Sequence, residues 1–392
     1  MREIAVVTVA RSDFGIYLPL LRAVRAHPDL CLRILVSGMH LSPEFGLTVQ
    51  EIEKAGFEVF ERIESLVSSD TPAAVAKSIG LGIQGFAQVF SRYRPDILVL
   101  LGDRFDMLPA GLAILPFHVP VAHIHGGEAT EGSIDEAIRH CLTKLSHLHF
   151  ASTDYYARRV IQLGEEPWRV TVSGALGLDA IREAKLENPT DVAERFGFSL
   201  ESPMALITFH SVTLEHEQTE RHFSALLDAL DLPGLQCLFT YPNADTSGRE
   251  IIQQIDRFCA RRKSSKAVVS AGPQGYLSLL NTVSVMVGNS SSGIIEAASF
   301  KLPVVNIGRR QRGRVHAENV LDCGEDTREI KAALTRALDS AFRAGLAKLS
   351  NPYGDGHAAE RIVERLASVP LDDTLLFKRF HELDETTNAA RS

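Results

Sequence analysis

The sequence predicts an α/β protein built from two doubly wound parallel sheets. Three observations lead there. Short β-branched runs alternate with longer segments of 3.6-residue apolar period, the pattern of βαβ units. The alternation stops in a polar, proline-containing stretch between Glu183 and Pro203 and then starts again, which marks a domain boundary. The residues of most chemical interest stand directly after the apolar runs, where open α/β sheets bind ligands. With 392 residues the chain has room for two or three cores. The expected division is 1–185, 186–368, and a C-terminal helix and tail at 369–392, with a cleft between the first two.

The elements follow in order. EIAVVTVA is the first strand; its seven-residue apolar stretch runs into Arg11-Ser12-Asp13, which does not suit a signal peptide. CLRILVSG, DILVLLG, VPVAHIHGG, HLHFAS and RVTVSG complete the first sheet, each rich in Val, Ile or Leu and ended by Gly or Ser. MALITFH, LQCLFTY, AVVSAG, VSVMVGNSS and PVVNIG form the second. The most apolar window, Met107 to Ile124, is broken by Pro109, Pro116 and Pro120, so no membrane helix is expected.

Composition narrows the class. Hydrophobic residues make up 45% and charged residues 23%, which fits an ordinary globular chain and excludes a disordered one. The net charge of −8 disfavours nucleic acid and anionic lipid as partners, so any bound anion needs a local basic site. Cys31, Cys141, Cys237, Cys259 and Cys323 are scattered and never spaced CxxC, which points to a reducing cytoplasm and away from disulfides or zinc.

Four segments carry candidate chemistry. In GNSSSGIIEAASF, Ser290, Ser291, Ser292 and Gly293 lie between a strand and an Ala-rich run, where a helix N-terminus offers free N–H groups to an anion. One serine would suffice for simple capping, and three favour a phosphate site. NIGRRQRGRVHAEN supplies Arg309, Arg310, Arg312 and Arg314, either a solvated basic loop or a bidentate diphosphate clamp. LGDRFD sets Asp103 and Arg104 after a buried strand, as catalytic groups or as a turn that caps the next helix. HIHGGEATEGSIDEAIRH gathers His123, His125, Glu128, Asp135, Glu136, Arg139 and His140. Asp135 with Arg139 and Glu136 with His140 have i,i+4 spacing and could be plain ion pairs. No metal-ligand spacing is present, and acid–base catalysis accounts for the mixture.

With these motifs, together with VARSDFG, VSGMHLSPEFG, IDEAIRHCLTKLSHLHF, QLGE and YPNAD, the chain resembles the hydrolysing UDP-N-acetylglucosamine 2-epimerases of bacterial sialic acid synthesis over nearly its whole length. The resemblance implies a GT-B fold of two Rossmann-like domains. It implies UDP-binding positions at Arg11, His210, Asn243, Ser290, Ser291, Glu296 and Arg310, with Arg314 in the same basic loop. It also implies a sugar-side set of Asp103, Arg104, Asp135, Arg139 and His140. The resemblance also implies that His125 stands where animal and some bacterial relatives carry Glu, which leaves that carboxylate's work to His125, to Glu128, or to neither.

The chemistry expected is loss of UDP from C1 with removal of the C2 proton, giving a 2-acetamidoglucal, then addition of water to yield N-acetylmannosamine. No cofactor and no metal are required. Asp103 and Asp135 are the leading proton-transfer groups. Alternatives are the same reaction on UDP-N,N'-diacetylbacillosamine, a non-hydrolysing epimerase, a GT-B glycosyltransferase and a catalytically dead regulator. A homodimer or homotetramer in the cytoplasm is expected.

Overall fold

The computed structural model describes residues 1–69, 71–130, 133–210, 218–241, 248–269 and 271–383. The chain divides into two compact units, Met1–Ala180 with Tyr353–Ser392, and Ile181–Pro352.

Unit 1 holds a sheet of β1 (Arg2–Thr8), β2 (Leu30–Ser37), β3 (Val59–Ile63), β4 (Ile97–Leu101), β5 (Val121–Ile124), β6 (Leu148–Ala151) and β7 (Val170–Val172). Its order is β3-β2-β1-β4-β5-β6-β7, all pairs parallel. Unit 2 holds β8 (Met204–Thr208), β9 (Gln236–Thr240), β10 (Ser265–Val268), β11 (Val285–Gly288), β12 (Val304–Ile307) and β13 (Val320–Cys323) in the order β10-β9-β8-β11-β12-β13, again parallel. Central strands such as β4 are buried at every position, as a sheet covered on both faces requires. In each sheet the order reverses beside the first strand of the unit, at β1/β4 and at β8/β11. Those are the two switch points at which ligands enter such folds.

The C-terminal boundary differs from the expected one. Residues 353–368 belong to unit 1 rather than to the second domain. Helix Ala358–Ser368 buries Ala359, Ile362, Val363 and Leu366 in the core that also holds Tyr17, Leu20 and Val24 of helix Arg11–Ala26. The buried carboxylate of Asp179 accepts from the Ala358 and Ala359 N–H groups at 2.9 and 2.7 Å, capping that helix from the far end of the unit's first pass. The tail beyond begins with a short helix, Asp373–Leu376, held by three carbonyl contacts from the fully buried Arg169.

Two strands escaped the sequence reading. Both β3 and β13 lie at sheet edges. Each is short and charged (VFERI and VLDC), because an edge strand covers little and keeps a solvated face.

Candidate functional site

At the β1/β4 switch point, Gly102 turns the chain out of β4 with φ of +71°, and Asp103 and Arg104 follow. Helix Ile134–Leu145 starts at Ser133, whose hydroxyl accepts from Asp135 N–H at 3.2 Å. Arg139, one turn in, is buried and spreads its guanidinium over three acceptors. It pairs with Asp103, donates to the Thr130 hydroxyl at 2.7 Å, and donates to the His125 carbonyl at 2.9 Å. Thr130 in turn donates to Asp103 at 3.0 Å. Burial pushes the Asp103 carboxyl up, and Arg139 offsets this only in part, while the nearby charges of Asp135 and Glu128 push it further.

His125 has a left-handed backbone, φ +64°, which swings its ring back so that Nδ1 lies 3.2 Å from Glu128 Oε1. Glu128 is buried and also accepts from Ser152 at 2.6 Å. Glu136 and His140 meet at the ordinary i,i+4 spacing, with His140 Nε2 3.3 Å from Glu136 Oε1. Arg159 and the Thr130 N–H share Glu136, so His140 is turned to a structural carboxylate rather than to Asp103. Asp135 does not pair with Arg139 as its spacing allowed; its Oδ2 accepts from the Ser133 hydroxyl at 2.8 Å. Arg104 reaches Asp106 at 3.2 Å and Met39 Sδ at 3.0 Å, and it also lies in the field of Asp13 and Asp135. Arg11 is exposed, 4.0 Å from Glu51.

Around two arginines, then, stand Asp13, Asp103, Asp106, Asp135 and Glu128. Burial raises Asp13 to about 6 against the pull of Arg104 and raises Asp106 as well. Asp13, held near 6, is thereby suited to carrying a proton near neutral pH. Asp13, Asp106 and Thr130 were not singled out in the sequence. Asp13 and Asp106 lie within VARSDFG and LGDRFD, but nothing in their spacing distinguished them from turn residues.

Unit 2 has its own constellation at β8/β11. Gly288 takes φ of +136° where a Cβ would collide with the Thr208 carbonyl, so β8 and β11 leave the sheet side by side. Asn289 then clamps His210: its side-chain oxygen accepts from the His210 N–H and its amide donates to the His210 carbonyl, each at 2.8 Å. The Asn289 carbonyl accepts from Arg310 at 3.0 Å and from Gln311 at 2.9 Å. The structure therefore brings His210, Ser290 and Arg310 together through a residue the sequence reading passed over. Ser290 is the N-cap of a helix only five residues long, Ser291–Ile295, with its hydroxyl accepting from Ser292 N–H at 3.3 Å, so capping occupies one of the three serines. Ser292 donates to Glu296 and accepts from the Tyr276 hydroxyl at 2.9 Å. Burial raises the Glu296 carboxyl, opposed by Ser292. Arg314 is partly buried two residues past Arg312 in the same loop. Asn243 lies outside the described residues.

No group of three or more His, Cys, Asp or Glu among the described residues is arranged to hold a metal ion. No helix among them is long and apolar enough to cross a membrane.

The family model described as UDP-N-acetylglucosamine 2-epimerase matches residues 22–367. The chain is 37% identical over 385 residues to a GDP/UDP-N,N'-diacetylbacillosamine 2-epimerase (hydrolyzing) of Campylobacter jejuni, covering 97% of this chain and 99% of that one. It is 36% identical over 382 residues to a UDP-N,N'-diacetylbacillosamine 2-epimerase (hydrolyzing) of Legionella pneumophila, covering 96% and 99%. Among solved structures, the UDP-GlcNAc 2-epimerase of Neisseria meningitidis bound to UDP-GlcNAc superposes with a TM-score of 0.79 at 19% identity, over 93% of this chain and 99% of that one, a likeness that identifies the fold as GT-B. With two parallel Rossmann-like sheets, polar clusters at both switch points and a family match over most of its length, this chain belongs to the UDP-N-acetylglucosamine 2-epimerase family.

Proposed function

We propose that the chain is a hydrolysing 2-epimerase acting on UDP-N,N'-diacetylbacillosamine, releasing UDP and the 2-epimerised free sugar. The observation that carries this reading is near-full-length identity of 37% and 36% to two enzymes of that name. The sequence reading put UDP-N-acetylglucosamine first, and the family description keeps it as the second reading. The two substrates differ only at C4 and C6 of the sugar.

The chemistry needs a clamp on the departing diphosphate and two acid–base groups at C2. Unit 2 supplies the clamp: His210, Ser290, Ser291, Arg310 and Arg314 for UDP, with Glu296 for its hydroxyl groups. In unit 1, loss of UDP builds positive charge at C1 and acidifies H2. Asp135, beside its helix N-terminus, is the base that takes this proton. Asp103, whose carboxyl burial pushes upward, is the acid that returns a proton to C2 from the other side as water adds at C1. Arg139 holds Asp103 in place, Arg104 balances the acidic cluster, and Glu128 holds the His125 ring. His140 steadies the helix through Glu136. The five free thiols accord with a cytoplasmic setting.

The test is incubation of the protein with each UDP-sugar in deuterated water, with products identified by NMR. Free UDP and a manno-configured sugar carrying one deuterium at C2 are expected, with faster turnover of the diacetamido substrate. Retained hydrogen at C2 would sink the glycal route, and release of an intact UDP-sugar epimer would sink the hydrolytic reading.

A further inference from the structure

We infer that His123, which the scheme above leaves unused, is a positioning residue that fixes the peptide from which Asp103 leaves strand β4. The inference rests on the reading of Asp103 as a proton-transfer group.

His123 is the third residue of β5, fully buried, with Leu100 and His149 as its neighbours across the sheet. Its Nε2 lies 2.7 Å from the Gly102 carbonyl oxygen. A carbonyl only accepts, so Nε2 carries the proton. Burial lowers the ring's pKa to about 3, which leaves it neutral and Nδ1 bare. Nδ1 faces the Thr143 hydroxyl at 3.3 Å. The Gly102 carbonyl thus sets the tautomer, while the Thr143 hydroxyl, whose proton goes to the Arg139 carbonyl, packs against the Nδ1 side of the ring.

Gly102 is consequently held from both sides by β5. Its N–H donates to the Ile124 carbonyl at 2.9 Å, and its own carbonyl takes the His123 proton. Between planar peptides only two rotations per residue are soft. Pinning the Gly102 carbonyl stops the rotation that sets where Asp103 begins. On the other side of the ring, Thr143 stands one turn beyond Arg139 on the same helix and donates to the Arg139 carbonyl at 2.9 Å. The Gly126 turn closes over both groups, since a Cβ there would stand 3.1 Å from His123 Nδ1 and 3.2 Å from Thr143 Oγ1. One imidazole therefore touches the three segments that carry Asp103, Arg139 and His125. A histidine that merely fills the core has no reason to bridge all three.

The test compares His123→Leu, which removes the donor, with His123→Gln, whose amide can still donate, each alone and with Asp103→Asn. His123→Leu is expected to keep KM for the UDP-sugar within about threefold and to lower kcat about 10- to 100-fold, because misplacement of a reacting group is felt in the chemical step. His123→Gln is expected to recover most of that loss. In the Asp103→Asn background, His123→Leu is expected to cost nothing more, since a residue acting through Asp103 has nothing left to position. An unchanged kcat in His123→Leu, or an undiminished loss in the double variant, overturns the role given to His123. If Asp103→Asn itself turns over at the wild-type rate, the reading of Asp103 falls and this role falls with it; that result is distinct from a slow Asp103→Asn beside a fast His123→Leu. Should His123→Leu fail to fold, His123→Phe, which keeps a ring in the space and removes the donor to Gly102, carries the same double-variant test with the same loss expected. Nitrogen NMR of the wild-type ring must then also show the Nε2–H tautomer between about pH 5 and pH 8, and an Nδ1–H or charged ring would refute the arrangement.

Discussion

Replacing Arg139 with Met removes the guanidinium and keeps an apolar stem in the same space. The side chain is 4% exposed and its partner Asp103 20%, so the variant leaves a carboxylate in a largely dry site without its cation. Breaking one half of such a pair costs about 3–5 kcal/mol. The lost donors to Thr130 and to the His125 carbonyl fall within that range rather than adding to it, because all three contacts share one group. The pH dependence follows from Asp103. Its carboxyl is already raised in the fold, and loss of Arg139 raises it further. A carboxyl raised in the folded state carries no penalty below its unfolded pKa; the penalty grows as pH climbs toward the folded pKa and is then complete. Destabilisation by Arg139→Met is therefore largest at about pH 8 and smaller at about pH 4.5, by about 1.4 kcal/mol for each unit by which the substitution raises Asp103 within that interval. Urea unfolding followed by fluorescence measures this directly, since the chain's single tryptophan, Trp168, lies in unit 1. Adding Asp103→Asn is expected to restore part of the lost stability by removing the stranded charge. A cost under about 1 kcal/mol at pH 8, or an equal cost at both pH values, would refute the claim that Arg139 compensates a buried carboxylate.

Asp103→Asn and Asp135→Asn are each expected to bind UDP nearly as the wild type does while losing about 10² to 10⁴-fold in turnover, read by UDP release and calorimetry. Near-normal rates in both, with His125→Ala or Glu128→Gln inactive, would move the proton transfers to that pair. Arg310→Ala and Ser290→Ala with Ser291→Ala are expected to raise the UDP dissociation constant; Ser290→Ala alone also costs about 1 kcal/mol of stability through its lost cap. Unchanged UDP affinity in all of these variants would mean that the loop does no more than cap its helix and anchor the Asn289 carbonyl.

The sequence by itself determined the double α/β architecture, since alternating β-branched runs and helical periods are a local property of the chain, as is the order in which polar residues follow strands. It offered a serine cap within GNSSSG for the same reason, since a cap is decided by residues two or three positions apart, and the structure gives that cap to Ser290. What the tertiary structure alone decided is partnership across the sheet. Spacing offered Arg139 to Asp135 four residues away, but the fold brings Asp103 to it from another strand end, 36 positions distant. The same holds for the unit boundary. Helix Ala358–Ser368 follows unit 2 in the chain, yet its apolar face packs into the unit 1 core and Asp179, 179 and 180 positions earlier, caps it there. Edge strands, the Asn289 clamp and the His123 brace also rest on contacts between segments remote in sequence. Burial likewise decides which carboxyls are pushed upward, because desolvation depends on everything packed around a group and not on its neighbours along the chain.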